Sequence, residues 1–123
     1  MALVIERDVL IVSANPQTRD DLRSYLSGVG LAAESVPDLE AAVASAGSCR
    51  SVVIFPDEFG LSEARETIEA LRELRPGTRL VVVTATGTAF GRRADASLVI
   101  LPKPAFSWTI LDAVRAPPTP EAP

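Results

Sequence analysis

Four short apolar runs divide the chain: Val9-Leu10-Ile11-Val12, Ser51-Val52-Val53-Ile54-Phe55, Leu80-Val81-Val82-Val83 and Leu98-Val99-Ile100-Leu101. None alternates with polar residues, so each would be apolar on both sides, as strands are in a parallel sheet covered by helices on both faces. A weaker run, Leu31 to Val36, follows Gly28-Val29-Gly30 and carries Glu34. It suits a sheet edge.

Helical patterns fill the intervals. The first runs from Pro16 to about Ser27, with Asn15 as N-cap, Pro16 in the first turn, and Leu22, Tyr25, Leu26 and Val29 at helical spacing. A short alanine-rich segment, about Asp38 to Ala46, sets Leu39 and Val43 on one face. In the third, Ser62 is placed to cap, Ile68, Leu71 and Leu74 face inward, and Pro76-Gly77 ends the pattern. The fourth connection, Thr86 to Ser97, contains Gly87 and Gly91 with Phe90 as its one large apolar residue, which predicts a weak or shortened helix. Ser107 to Val114 gives two turns around Ile110, Leu111 and Val114. Five strands alternating with five helices predict a doubly wound α/β domain over residues 1–115, with sites at the carboxyl ends of the strands. Residues 116–123 hold four of the ten prolines and read as a tail or linker.

Composition narrows the chemistry. The 123 residues contain no histidine and one cysteine, which excludes histidine-based triads, histidine metal sites and an internal disulfide. Cys49, just before a strand, reads as structural rather than redox-active. A net charge of −4 and 5% aromatics argue against a nucleic-acid partner. No apolar run approaches the roughly 20 residues that cross a bilayer. The first seven residues are too short and too acidic for a signal peptide, so the expected location is cytoplasmic.

The strand ends carry Ser13-Ala14-Asn15-Pro16, Pro56-Asp57-Glu58, Thr84-Ala85 and Pro102-Lys103-Pro104. With Val9-Leu10-Ile11-Val12 before a proline-initiated helix, Thr84-Ala85 after the fourth strand and Lys103-Pro104 after the fifth, the chain resembles the receiver domains of bacterial two-component response regulators. The resemblance covers about Asp8 to Val114. It implies a flavodoxin-like, five-stranded parallel sheet in the order 2-1-3-4-5 and a cis bond before Pro104. In that family two acidic residues after the first strand hold Mg²⁺, an aspartate ending the third strand accepts a phosphoryl group, and a Ser/Thr and a Lys engage it.

On this sequence the acidic pair falls on Ser13 and Ala14, the acceptor on Pro56, and the remaining pair on Thr84 and Lys103. The scaffold is kept while three acidic points are missing, so the site reads as vestigial, with neither a metal nor another cofactor expected. Lys103, the sole lysine beside eleven arginines, is expected to pair with Asp57 or Glu58. Asp57 lies one position past the expected acceptor and on a strand would face the other way; a bulge at Pro56 would bring it into the pocket as an alternative acceptor.

Three functions follow. The first is a non-enzymatic, phosphorylation-independent interaction or regulatory module of bacterial signalling, a pseudo-receiver. The second is an atypical receiver phosphorylated on Asp57. The third is a small α/β protein binding a ligand in the switch-point crevice, against which stands the absence of a Gly-rich phosphate loop. For the first, the resemblance implies a protein partner or a homodimer on the face of the fourth helix, fifth strand and fifth helix. Phe90, Ile100, Phe106 and Trp108 are its candidate contacts, with Ile100 at the family's aromatic switch position. Packing of Phe106 and Trp108 over the core is the competing expectation.

Overall fold

The computed structural model describes residues 7–74, 78–85 and 98–115. Its five strands are β1 (Arg7–Val12), β2 (Ala33–Val36), β3 (Cys49–Ile54), β4 (Arg79–Thr84) and β5 (Leu98–Pro102). They form one all-parallel sheet in the order β2-β1-β3-β4-β5. The weak, Glu34-bearing strand is indeed at an edge, where Arg7 meets the glutamate at 2.7 Å. Four α-helices lie among the described residues: α1 (Pro16–Gly28), α2 (Leu39–Ala46), α3 (Leu61–Leu74) and α4 (Ser107–Arg115). The weak helix expected over 86–97 and the tail expected at 116–123 lie outside the described residues, and so does Phe90.

The central strands are apolar along most of their length, with charged or polar residues only towards their ends, because both of their faces are covered. Leu10, Val12, Val52, Ile54, Leu80, Val82 and Leu98 pack with Ala42 and Ala46 of α2 and Ala64, Ile68 and Leu71 of α3. The alternate residues, Val9, Ile11, Val53, Val81 and Val83, pack with Leu22 and Leu26 of α1 and Ile110, Leu111 and Ala113 of α4. Each fully buried branched side chain contributes about 1.5–3 kcal/mol of hydrophobic stabilisation, so this double layer carries the fold.

Local chemistry sets the helix limits. Asn15 Oδ1 accepts from the amides of Gln17 and Thr18, which fixes the start of α1 beside the carboxyl end of β1. Asp38 caps α2 in the same way through the Ala41 amide. After α1 the chain reverses through Gly30, whose φ of +98° suits glycine alone.

Three details differ from the sequence pattern. Val29 falls beyond the last turn of α1 and is exposed. In α2 the alanines face the sheet while Val43 is exposed, since a helix crossing closely over a sheet needs small side chains at the contact. And α3 begins at Leu61, so Ser62 lies inside the first turn instead of capping it.

Candidate functional site

The carboxyl ends of β1, β3, β4 and β5 converge at one end of the sheet. β3 leaves the ladder after Ile54, and Pro56–Glu58 form a single 3₁₀ turn, closed by hydrogen bonds from the Glu58 amide to Phe55 and from the Phe59 amide to Pro56. Proline begins this turn readily because it has no amide to leave unpaired. In a 3₁₀ turn successive side chains point about 120° apart. Pro56 is buried, and Asp57 and Glu58 diverge towards different partners.

Asp57 turns towards β4 and β5. Its carboxylate accepts from the Thr84 hydroxyl at 2.5 Å and from the Ala85 amide at 2.9 Å, and Lys103 Nζ lies 3.7 Å away as an ion-pair partner. The Lys103 and Asp57 side chains are 34% and 26% exposed. Partial burial is the largest influence on this carboxyl and pushes its pKa up. The Ala85 amide, the Thr84 hydroxyl and the Lys103 charge together outweigh it and hold the group below its ordinary value.

Glu58 turns the other way, onto the end of β1. One carboxylate oxygen accepts from both the Ser13 hydroxyl and the Ala14 amide, each at 2.7 Å. Ser13 is fully buried; its hydroxyl also accepts from the Asn15 amide at 3.1 Å, and its carbonyl accepts from Arg19 at 2.8 Å.

The expected site residues are thus brought to one end of the sheet in two groups. Thr84 and Lys103 join Asp57, while Ser13 and Ala14 join Glu58. Asp57 enters the pocket by means of the turn at Pro56, and it is Asp57, not Glu58, that pairs with Lys103. The role of Glu58 at the end of β1 was not legible, nor was the Ala85 amide as a donor; both depend on how the 3₁₀ turn divides adjacent carboxylates. A signal was present in the proline directly after a β-branched run, followed by two acids.

These residues do not suit Mg²⁺. Ala14 offers no side-chain ligand, and the Ser13 hydroxyl is occupied by Glu58. Among the described residues no group of three or more histidines, cysteines or acids could hold a metal ion. A hard divalent cation needs several oxygen ligands of which carboxylates are the strongest, and here the two carboxylates are directed apart.

A second feature adjoins the first. Between α1 and the start of α4 lies an open cleft of about 610 Å³, floored by Leu22, Phe55, Val83 and Ile110. Asn15, Thr18, Asp21, Glu58, Lys103 and Ser107 supply its polar wall. The bond between Lys103 and Pro104 at its edge is cis. At the start of α4, Phe106 and Trp108 are 55% and 58% exposed and stack on each other, ring centres 4.7 Å apart and planes within 7°. They do not pack over the core. Ile100 is half-buried and packs on the α2–α3 side of the sheet, whereas α4 covers the other side.

A parallel sheet in the order 2-1-3-4-5, with Thr84 and Lys103 at adjacent strand ends, is the flavodoxin-like fold of receiver domains. Solved structures agree. The chain is similar to a response regulator receiver protein from Sinorhizobium medicae, at 19% identity and a TM-score of 0.73, covering 89% of this chain and 91% of that one. It is similar to a chemotaxis protein of Vibrio cholerae at 20% identity and a TM-score of 0.71, covering 89% and 97%. A third likeness is to a response regulator from Burkholderia pseudomallei, solved with a phosphorylated aspartic acid, a calcium ion and citrate. There the identity is 22% and the TM-score 0.72, covering 90% of this chain and 68% of that one. No protein-family model matches the chain, and no curated protein matches it in sequence.

Proposed function

We propose that this chain is a pseudo-receiver: a non-enzymatic, cytoplasmic protein-interaction module of two-component signalling that works without being phosphorylated. The observation that carries the reading is the occupation of the pocket by the chain's own carboxylates. The Thr84 hydroxyl, the Ala85 amide and the Lys103 ammonium are the donors suited to a phosphoryl group, and all three are directed at Asp57. Glu58 closes the end of β1, where Ser13 and Ala14 stand in place of acidic metal ligands. Domain limits of 1–115, a tail at 116–123, and a binding face that includes Phe106 and Trp108 belong to the same reading. The exposed, stacked aromatic pair supports that face, since rings of this kind act as anchors once a partner removes them from water.

A second reading is favoured by one observation: Asp57 does reach Lys103, which supports Asp57 as the acceptor of an atypical receiver. Two features weigh against it. A carboxylate already accepting two hydrogen bonds and facing an ammonium is a poor nucleophile, and a metal ion has no adequate ligand set beside it.

Intact-mass measurement separates the two readings. Incubation with Mg²⁺ and acetyl phosphate leaves the mass unchanged under the first reading, and Mg²⁺ alone shows no binding at millimolar concentration. A phosphoryl adduct that disappears in Asp57→Ala establishes the second reading instead.

A further inference from the structure

Phe106 and Trp108 stack at the start of α4, each more than half exposed. One side of α4 is spent on the sheet, through Ile110, Leu111 and Ala113. The other side carries Trp108, Asp112 and Arg115, all exposed and spaced i, i+4, i+7 along one stripe. That stripe joins the aromatic pair to the last residue of the helix. Residue 116 therefore follows directly from the side of α4 that holds the rings.

The next eight residues, outside the described ones, have a spacing of their own. In Ala116-Pro117-Pro118-Thr119-Pro120-Glu121-Ala122-Pro123, prolines recur at 117, 120 and 123. Proline-rich sequence favours the polyproline II helix, whose three residues per turn set these three rings on one edge and Pro118 on another. Aromatic platforms bind such edges well, because the proline helix is pre-formed and loses little entropy on docking. Pro117 also disfavours helical backbone at Ala116, in keeping with an α4 that ends at Arg115.

The lengths agree. Arg115 back to Trp108 is seven residues of α-helix, about 10 Å. Six residues of polyproline II span about 19 Å, which leaves two for the reversal and brings Pro120 about level with Trp108.

We infer that residues 116–123 fold back along α4 and dock the edge formed by Pro117, Pro120 and Pro123 on the Phe106–Trp108 stack, an intramolecular cover over the binding face. This rests on the interaction-module reading and adds its regulation, since a partner must displace the chain's own proline edge to reach the rings. A short tether supplies an effective concentration on the order of millimolar, so a contact of millimolar affinity is populated about half of the time.

Acrylamide quenching of Trp108, the sole tryptophan, tests this in the full chain. The wild type is compared with the triple variant Pro117→Ser, Pro120→Ser and Pro123→Ser, and with Pro118→Ser, which leaves the docking edge intact. The triple variant is expected to quench about twofold more steeply and to emit at longer wavelength, with an unchanged melting temperature. Pro118→Ser should match the wild type, and quenching of the wild type should not change on dilution. Equal quenching of the triple variant and the wild type overturns the proposal. So does an effect of Pro118→Ser as large as that of the triple variant, which removes the proline edge from the account. Wild-type quenching that steepens on dilution assigns the cover to a second copy and overturns it too. None of these outcomes bears on phosphoryl uptake, so the intact-mass experiment and this one can each fail alone.

Discussion

At the carboxyl end of β3 the carboxylates have internal partners, whereas at the start of α4 two aromatic rings remain stacked in water. Both regions follow strands at the same end of the sheet, the first after β3 and the second after β5. Around Asp57 and Glu58, five donors from the ends of three strands are drawn inward: Ser13, Ala14, Thr84, Ala85 and Lys103. Among the described residues nothing comparable closes over Phe106 and Trp108, although Ile110 and Leu111 of the same helix are buried. Polar groups that satisfy one another need no ligand, while apolar area left in water is relieved only by something that covers it. The contrast supports the proposed reading, in which the first region closes the end of the sheet and the second is the binding face.

That contrast can be broken within α4 itself, where the largest effect is expected. Ile110→Ala removes a side chain that is buried against α1 and β4, and should cost about 2–5 kcal/mol by chemical denaturation. A loss below 1 kcal/mol would mean that α4 is not docked as described. Next comes Thr84→Val, which keeps the shape of a buried side chain but removes the hydroxyl bonded to Asp57. We expect a loss of about 1–2 kcal/mol, read from the same denaturation curves.

The pH dependence should be smaller. The carboxyl of Asp57 is held below its ordinary value of 3.8, so folding favours its ionised form. Its stabilising contribution is complete above the unfolded value and is lost as pH falls through the lower folded value. Melting curves of the wild type and Asp57→Asn should therefore differ at pH 6 and draw together only as the pH falls below 3.8. A gap that stays constant down to pH 3 would remove the ionised carboxylate from the account. Trp108→Ala should have the least effect, under about 1 kcal/mol, because it deletes an exposed ring and one stacking contact. A large drop in melting temperature would reassign Trp108 to the core and leave the docking face without its anchor.

Much of the scaffold was legible before any coordinates. Val9 to Val12 and Leu80 to Val83 read as strands covered on both faces, Asn15-Pro16 read as a helix start, and the Glu34-bearing run read as an edge; each depends on neighbours within a few residues. The limits were less secure where a contact with the sheet decided them, as for Val43, exposed while the alanines beside it pack inward. At the site, the types and positions of Thr84 and Lys103 were readable, and so was the absence of acids at Ser13 and Ala14. The destination of Asp57 remained open between two faces, and Glu58, offered as an alternative partner for Lys103, lies instead on Ser13 and Ala14.

What the sequence determined by itself is the order of elements and the parallel, doubly covered sheet, because apolar runs of this length have few ways to leave water. It also determined which chemistry is missing, since neither alanine nor proline can supply a carboxylate. The tertiary structure alone decided which carboxylate meets which donor. One 3₁₀ turn separates Asp57 from Glu58 by about a third of a circle, and their partners lie on strands distant in sequence. It also decided that Phe106 and Trp108 stand in water while Ile110 is buried, because the sheet can cover only the side of α4 that faces it.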